Sequence, residues 1–259
     1  MKRAFTLIEL VIVVAILGLL AALLMPALAG AIGIAHQTTC AANLRQLGIA
    51  MQLYLKDSDG WFFPLYTPGT SDGRTWYYGF EPNGSPSLGE GNRILDPARG
   101  KLYPYLQASG GVTVCPSVPF GGAYKPKYKG DPSWTYGVNR YLSTHPSTTG
   151  GNVNGNGNSP LSVIRGRDAA RTAVFADAAQ VAFLPPATPS NPMIEDFPYI
   201  EPNRKYVQFR HNGQANVLYA DWHVGAAGPA EGSLDARMPG TKIGYFDPDE
   251  VLLVPKGAR

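Results

Sequence analysis

The sequence has little charge and almost no cysteine. Asp, Glu, Lys and Arg make up 16% of the 259 residues, and the formal net charge is +3. No basic face is evident, so nucleic acid is not expected as a partner. Only two cysteines, Cys40 and Cys115, are present. An oxidising compartment would allow a bridge that closes a loop of about 75 residues, whereas in a reducing compartment they would be two buried thiols.

The sequence also lacks recognisable catalytic motifs. It contains no G-x-S-x-G, no H-E-x-x-H and no phosphate-binding glycine loop. We therefore expect neither an enzyme nor a bound cofactor. Some aromatic residues would suit a sugar-binding surface, but core and loop packing accounts for most aromatic side chains. The residues concerned are Trp61, Trp76, Tyr77, Tyr78 and Trp134.

Turn-forming residues are abundant. The 30 glycines and 23 prolines are about a fifth of the chain, against a usual share of roughly 12%. Residues 57–110 are therefore predicted to be loops with few regular elements. The Gly/Asn tract at 147–160 is expected to be a flexible loop, and residues 185–192 an exposed connection.

One apolar run dominates the N-terminus. Residues 10–24 are all apolar or glycine, and Glu9 is the only charged residue between Arg3 and Arg45. A helix over residues 5–24 would be about 30 Å long, which matches one bilayer core. The basic residues before the run predict a cytoplasmic N-terminus and an exported domain after it.

Two simple interpretations of this run leave Glu9 without a reason. A secretory signal peptide has the same basic start and apolar run, with cleavage expected after Ala29. A plain transmembrane anchor has them too. An acid at the centre of a membrane helix costs about 2.5–3.5 kcal/mol, and less near the end.

A third interpretation comes from a resemblance. Residues 4–11, AFTLIELV, resemble the processing site of type IV prepilins and of the pseudopilins of type II secretion. The resemblance implies that a membrane peptidase cuts between Ala4, where the family usually has glycine, and Phe5, and then methylates the new amine. It also implies that Glu9 neutralises the amine of a neighbouring subunit. An ammonium and a carboxylate are each costly in low dielectric and tolerable as a pair.

Beyond the apolar run, the sequence predicts a weakened helix and then an amphipathic one. Pro26 removes a helix hydrogen bond, so the helix should kink or melt over residues 25–33, where the family also has a bend. The helical period then returns, and the helix should stop near Gly60. Its apolar stripe consists of Leu44, Leu47, Met51, Tyr54 and Leu55.

Further segments resemble a subgroup of pseudopilin-like proteins that end in a motif of histidine, nine residues, Asp and Gly. They are TTCAANLRQLGIAMQLYLKDSDG at 38–60, VTVCPSVP around Cys115 and WTYGVNRYL at 134–142. His211 and Asp221 match the motif, but Trp222 stands where the subgroup has glycine. Glycine there suggests a positive-φ turn, which tryptophan would resist, so a different turn geometry or a lost role is expected.

Two weak candidates for metal sites are present. His211, Asp221 and His223 would provide one set of ligands, although they lack tight ligand spacing and a turn-forming aspartate with strand histidines is the commoner explanation. Asp57 and Asp59 in KDSDG resemble part of a calcium loop, but the distal glutamate of an EF-hand is absent. Helix capping is the simpler role for this pair, so no metal is expected, with calcium as the weaker alternative.

The predicted fold is α+β and pilin-like: a long helix packed on an antiparallel sheet with long irregular loops. Residues 172–178 predict a buried strand, and residues 205–225 predict strands joined by turns at Asn212–Gly213 and Asp221. The C-terminal tail should add a short strand.

The predicted organisation is a leader peptide at 1–4, a transmembrane and assembly helix at 5–35, and a periplasmic or extracellular domain at 36–259. This domain begins with the amphipathic half of the helix, residues 36–56, and contains the histidine–aspartate region at 205–225.

The expected function is that of a structural subunit of a type IV pilus-like or pseudopilus filament. Expected partners are the prepilin peptidase and methyltransferase, other pilin-like subunits, the inner-membrane assembly machinery and the lipid bilayer. The expected location is the bacterial inner membrane, followed by a filament. A membrane-tethered module that binds a glycan or cell-surface ligand without polymerising remains the alternative.

Overall fold

A computed structural model describes residues 6–70, 72–108, 112, 114–118, 123–129, 134–143, 161, 164, 168–182 and 187–253. The helices are α1 (Leu7–Asp57) and α2 (Tyr103–Ala108). The strands are β1 (Tyr66–Thr70), β2 (Gly73–Trp76), β3 (Gly79–Pro82), β4 (Tyr124–Lys125), β5 (Tyr136–Asn139), β6 (Ala173–Asp177), β7 (Gln180–Ala182), β8 (Met193–Glu195), β9 (Tyr199–Ile200), β10 (Val207–Gln208), β11 (Ala215–Tyr219), β12 (Val224–Ala227) and β13 (Ile243–Gly244).

Helix α1 is a single element of 51 residues, or about 76 Å at 1.5 Å per residue. It ends within the predicted KDSDG segment. The amide of Gly60, which has φ 80°, donates to the carbonyl of Leu55 at 2.7 Å and closes the last turn. The predicted stop is thus confirmed.

A five-stranded sheet forms the centre of the domain, in the order β12-β11-β6-β5-β9. Its neighbours are antiparallel except for the parallel β5–β9 pair. Helix α1 packs across β11 and β12. Smaller sheets join β1-β2-β3, β4-β8-β7 and β10-β13. This arrangement confirms the predicted α+β, pilin-like fold.

Apolar clusters cover both faces of the central sheet. Neighbouring residues of a strand point to opposite faces. Leu218 of β11 therefore joins the cluster on the helix side, which includes Leu44 and Met51, whereas Val217 joins the cluster that contains Phe209. Strands β6 and β11 are consequently buried along their whole length. The predicted buried strand at 172–178 is confirmed.

The histidine–aspartate region contains its predicted strands and turns, with one difference in pairing. Asn212 and Gly213 have φ values of 51° and 83°, as a tight turn with two left-handed residues requires. Among the described residues, the His211–Gln214 bridge alone connects the two arms near this turn. Strand β10 pairs instead with β13, the short strand predicted for the tail.

The expectation of loops over residues 57–110 is wrong in part. This segment contains the antiparallel meander β1-β2-β3 and the short helix α2. Strands of four or five residues with glycine and proline inside them give weak alternation, so they were not recognisable as strands. The tract at 147–160 lies outside the described residues.

Candidate functional site

The first half of α1 presents an apolar surface that no part of the described chain covers. Its large apolar side chains from Leu7 to Ile34 are each 46–80% exposed. An unbroken apolar surface of this size requires an apolar environment or an apolar partner. By length and composition, this helix can cross a membrane.

Glu9 caps the N-terminus of α1. Its carboxylate oxygen Oε2 accepts hydrogen bonds from the amide of Thr6 at 2.9 Å and from the Thr6 hydroxyl at 2.7 Å. The amide of Glu9 in turn donates to Thr6 Oγ1 at 3.3 Å. This reciprocal capping box satisfies free backbone donors and places the negative charge at the positive end of the helix dipole. Ala4 and Phe5, the predicted processing site, lie outside the described residues.

Pro26 lies inside α1, which continues as helix on both sides of it. Of the two expected alternatives, melting over residues 25–33 is therefore wrong, and a kink at Pro26 stays a prediction. Proline has no backbone N–H, so the carbonyl of Ala22 has no helix donor there. The flanking turns nevertheless keep their own hydrogen bonds, and this explains how the helix persists.

Burial of α1 begins at Cys40, the first buried residue of the helix. Cys40 forms a disulfide bond with Cys115. The bond joins α1, the stem helix, to the segment between α2 and β4. Asn43, one turn further along α1, donates from its side chain to the hydroxyl of Tyr136 on β5 at 2.9 Å. A covalent bond and a buried hydrogen bond thus fix the same part of the helix.

A buried histidine and aspartate lie beside this disulfide. His211 Nε2 is 3.6 Å from Cys115 Sγ and 3.2 Å from Asp177 Oδ2. Asp177 also accepts a hydrogen bond from the amide of Asn216 at 2.8 Å, and Arg210 Nε lies 3.9 Å from its other oxygen. Asp177 was not among the predicted site residues, although an acid at the end of a strongly apolar strand is a signal visible in the sequence.

The structure does not bring the three predicted metal ligands of the C-terminal region together. His211 precedes β11 and is buried, whereas Asp221 and His223 follow it and are exposed. The five residues of β11 separate the two ends by about 17 Å. Asp221 Oδ1 instead pairs with His223 Nδ1 at 2.6 Å. The idea that these residues share one ion is wrong for this geometric reason.

Asp57 and Asp59 lie at the exposed end of α1. Asp57 Oδ2 accepts a hydrogen bond from the hydroxyl of Tyr105 at 3.1 Å. Asp59 has φ 51° and occupies a left-handed position in the turn, which aspartate tolerates well. These contacts account for both residues as parts of the helix end.

Trp222 has the positive φ that its side chain was expected to prevent. Its φ is 72°, and its amide donates to the carbonyl of Tyr219 at 2.9 Å. The half-buried indole packs against the cluster on the helix side of the sheet. The expected change of turn geometry is therefore wrong, since this packing holds the residue in an otherwise unfavourable conformation.

Most of the aromatic residues considered for a sugar-binding surface form part of the core. Tyr77 and Tyr78 are buried. Tyr77 donates to the carbonyl of Pro198 at 2.6 Å, and the ring of Tyr78 stacks on Trp134 with centroids 5.7 Å apart. Trp76 and Trp134 are half-buried against the same cluster. Packing is their evident role.

Two carboxyl groups, those of the buried Asp196 and the half-buried Glu90, have strongly raised pKa values. Burial raises the pKa of Asp196 to about 7, against the lowering effect of Arg210, and Glu90 raises it further. Burial also raises the pKa of Glu90 to about 7, with an added contribution from the charge of Glu195. Because the protonated form is favoured in the folded protein, both groups make the stability of the domain depend on pH.

The family described as the prokaryotic N-terminal methylation motif matches residues 1–25. This match supports a pilin-like protein. It covers the processing site, Glu9 and most of the exposed apolar helix, and it implies processing by a prepilin peptidase. Together with the exposed apolar helix it indicates membrane anchoring. No curated protein and no solved structure matches the chain.

Proposed function

We propose that the protein is a structural subunit of a type IV pilus-like or type II secretion pseudopilus filament. The peptidase would cut before Phe5, and the new amine would be methylated. The main supporting observation is that the 51-residue helix α1 is exposed and apolar in its first half and docked on the sheet in its second. Packing such helices side by side would bury the surface that the membrane covers before assembly.

Glu9 has the geometry to take part in this assembly. Within the described part of the chain, its hydrogen bonds converge on Oε2, so Oε1 is available to an incoming ammonium group. The amine of a neighbouring subunit would be neutralised there, which sets the stagger between subunits. The proposed topology has a cytoplasmic N-terminus and a periplasmic domain at residues 36–259.

We also propose membership in the pseudopilin-like subgroup with the histidine, nine residues, Asp-Gly motif. His211 and Asp221 have the required spacing. The φ of 72° at Trp222 supports this proposal, because it is a conformation that glycine adopts easily. The role of the motif histidine would then be in the core, beside the disulfide.

Processing is tested by mass spectrometry of the mature N-terminus. We expect N-methyl-Phe5 as the first residue. A protein that starts at Gly30 would instead establish a cleaved signal peptide and contradict the proposal. A protein that still starts at Met1 in cells with an active peptidase would leave only the interpretation of a plain transmembrane anchor.

Assembly is tested with variants that separate the charge of Glu9 from its capping role. Glu9→Val and Glu9→Gln should insert and mature but fail to form filaments, and Gln can still cap Thr6. The matched control is Thr6→Val, which removes the capping hydroxyl and keeps the acid, and it should assemble. Normal filaments from Glu9→Gln would contradict the proposal that the charge of Glu9 neutralises the amine of a neighbouring subunit.

The tethered binding module is the alternative outcome of the same experiment. It predicts a mature protein that remains monomeric whatever residue occupies position 9. The buried state of Tyr77 and Tyr78 does not favour it, since sugar-binding platforms need exposed aromatic faces.

A further inference from the structure

Four potential metal ligands meet in the core where α1 docks on the sheet. One ligand atom from each lies within 4.8 Å of all the others, and all four residues are buried. They are Cys40, Cys115, Asp177 and His211. They come from four separate segments of the chain, so only the tertiary fold brings them together.

The spacing of these atoms is close to that of a tetrahedral zinc site. Bonds of about 2.0–2.3 Å imply ligand atoms about 3.3–3.8 Å apart. His211 Nε2 already lies 3.2 Å from a carboxylate oxygen of Asp177 and 3.6 Å from the sulfur of Cys115. The two sulfur atoms, which are bonded to each other, have to move apart, and the remaining ligand atoms already lie within 4.8 Å of one another.

The surrounding groups orient two of the ligands. His211 Nδ1 faces the hydroxyl of Ser117 at 3.4 Å, which leaves Nε2 directed at the cluster. Asp177 Oδ2 accepts the amide of Asn216, whereas Oδ1 is buried without a hydrogen-bond partner among the described residues. Ligands of metal sites are characteristically held by such outer partners.

The charges of the cluster balance with and without a metal. In the disulfide form, the Asp177 carboxylate faces the buried guanidinium of Arg210. With two thiolates, one carboxylate and a divalent cation, the site would carry a single negative charge. The same Arg210 would neutralise it, so neither form leaves an uncompensated charge in the core.

We propose that this cluster binds one Zn²⁺ ion when the disulfide is reduced. A thiol reductant delivers two electrons and two protons, which break the S–S bond and form two protein thiols, and the reductant becomes a disulfide. Zinc then replaces the two thiol protons, which pass to solvent, and forms two Zn–S bonds. His211 Nε2 and one oxygen of Asp177 complete the tetrahedron.

This site would keep the stem helix attached to the sheet in both redox states. In the oxidised protein the covalent bond joins Cys40 on α1 to Cys115. In the reduced protein the metal would join the same two residues and would add β6 and the turn before β11. The inference is independent of filament assembly, because it concerns the core of the globular domain alone.

The experiment uses the full chain in detergent micelles, reduced under anaerobic conditions and freed of reductant. Zinc is measured by elemental analysis after dialysis and by competition with a chromogenic chelator. We expect one zinc per reduced chain and none per oxidised chain. Cobalt(II), used as a spectroscopic substitute, should show thiolate charge-transfer bands and tetrahedral ligand-field bands.

Variants assign the ligands. His211→Ala and Asp177→Asn should each lower the zinc affinity of the reduced protein by about 10- to 100-fold or more. His223→Ala, which removes an exposed histidine outside the cluster, is the matched control and should bind like the wild type. The oxidised variants are checked for the disulfide and for unchanged circular dichroism.

Three results would overturn the proposal. The first is equal zinc binding by oxidised and reduced protein, and the second is full affinity in His211→Ala. The third is a cobalt spectrum of the reduced wild type that lacks thiolate bands. This test does not depend on the folding of any variant.

Discussion

Gly48 of α1 lies directly against Leu218 of β11. A Cβ atom added to Gly48 would be 3.2 Å from Cδ1 of Leu218, and Leu218 is itself fully buried. The absence of a side chain on the helix therefore allows it to approach the centre of the sheet closely. This contact sits two turns from the Cys40–Cys115 bond, and together they hold the stem.

Replacing Gly48 by valine should destabilise the domain by about 1–3 kcal/mol, because overpacking displaces Leu218 and separates α1 from β11. Denaturant titration of the full chain in micelles measures the free energy of unfolding. Ile49→Val, which introduces the same residue at the exposed neighbouring position, should change stability by less than about 0.5 kcal/mol. Equal effects at the two positions would show that the helix does not depend on this approach.

At Trp222, glycine should be tolerated better than alanine. Both variants lose the indole, but alanine keeps the left-handed penalty of about 1 kcal/mol that glycine avoids. The Gly variant is therefore expected to be more stable than the Ala variant by about that amount in thermal or chemical unfolding. At His223, which lacks a positive φ, the order should reverse. An Ala variant at 222 as stable as the Gly variant would contradict the conformation described here.

Removal of both cysteines should lower the free energy of unfolding considerably. The bond spans a sequence separation of 75 residues, and closure of a loop of that size stabilises a domain by about 4 kcal/mol in the chain-entropy model. Denaturation of the Cys40→Ala/Cys115→Ala double variant beside the oxidised wild type measures the difference. A change below about 1 kcal/mol would mean that the unfolded chain is already constrained in this region.

The raised pKa of Asp196 predicts that stability falls as pH rises. A carboxyl whose pKa is about 7 in the folded protein and about 3.9 in the unfolded chain binds its proton more tightly when folded. Its stabilising contribution is complete below pH 4 and is lost as pH rises through 7. Glu90 shifts in the same direction.

Asp196→Asn should therefore reduce this pH dependence. The variant is expected to gain more stability relative to the wild type at pH 8 than at pH 5, by chemical denaturation at both values. The exposed Asp249→Asn serves as the control and should leave the difference between pH 5 and pH 8 unchanged. A larger pH dependence in Asp196→Asn would contradict the assigned cause.

The strongest sequence patterns correctly predicted the elements of the fold. The apolar stripe with Leu44 and Met51, the buried strand ending at Asp177 and the Asn212–Gly213 turn are all local signals, and the structure contains each of them. The strands in residues 66–82 were missed because glycine and proline interrupt their alternation. The helix does not melt at Pro26, because the hydrogen bonds of the flanking turns maintain it.

The sequence by itself determined the first half of helix α1. Its apolar run, Glu9 and the processing motif are contiguous, and an exposed helix needs no distant contacts to form. The core cluster was decided by tertiary structure alone. The sequence grouped His211 with Asp221, ten residues away, as a family motif and a weak metal candidate. In the structure His211 lies against Asp177 and Cys115, which are much more distant from it in the sequence. The reason is physical: a strand separates residues at its two ends, whereas the pairing of β11 with β6 and the docking of α1 bring distant residues together.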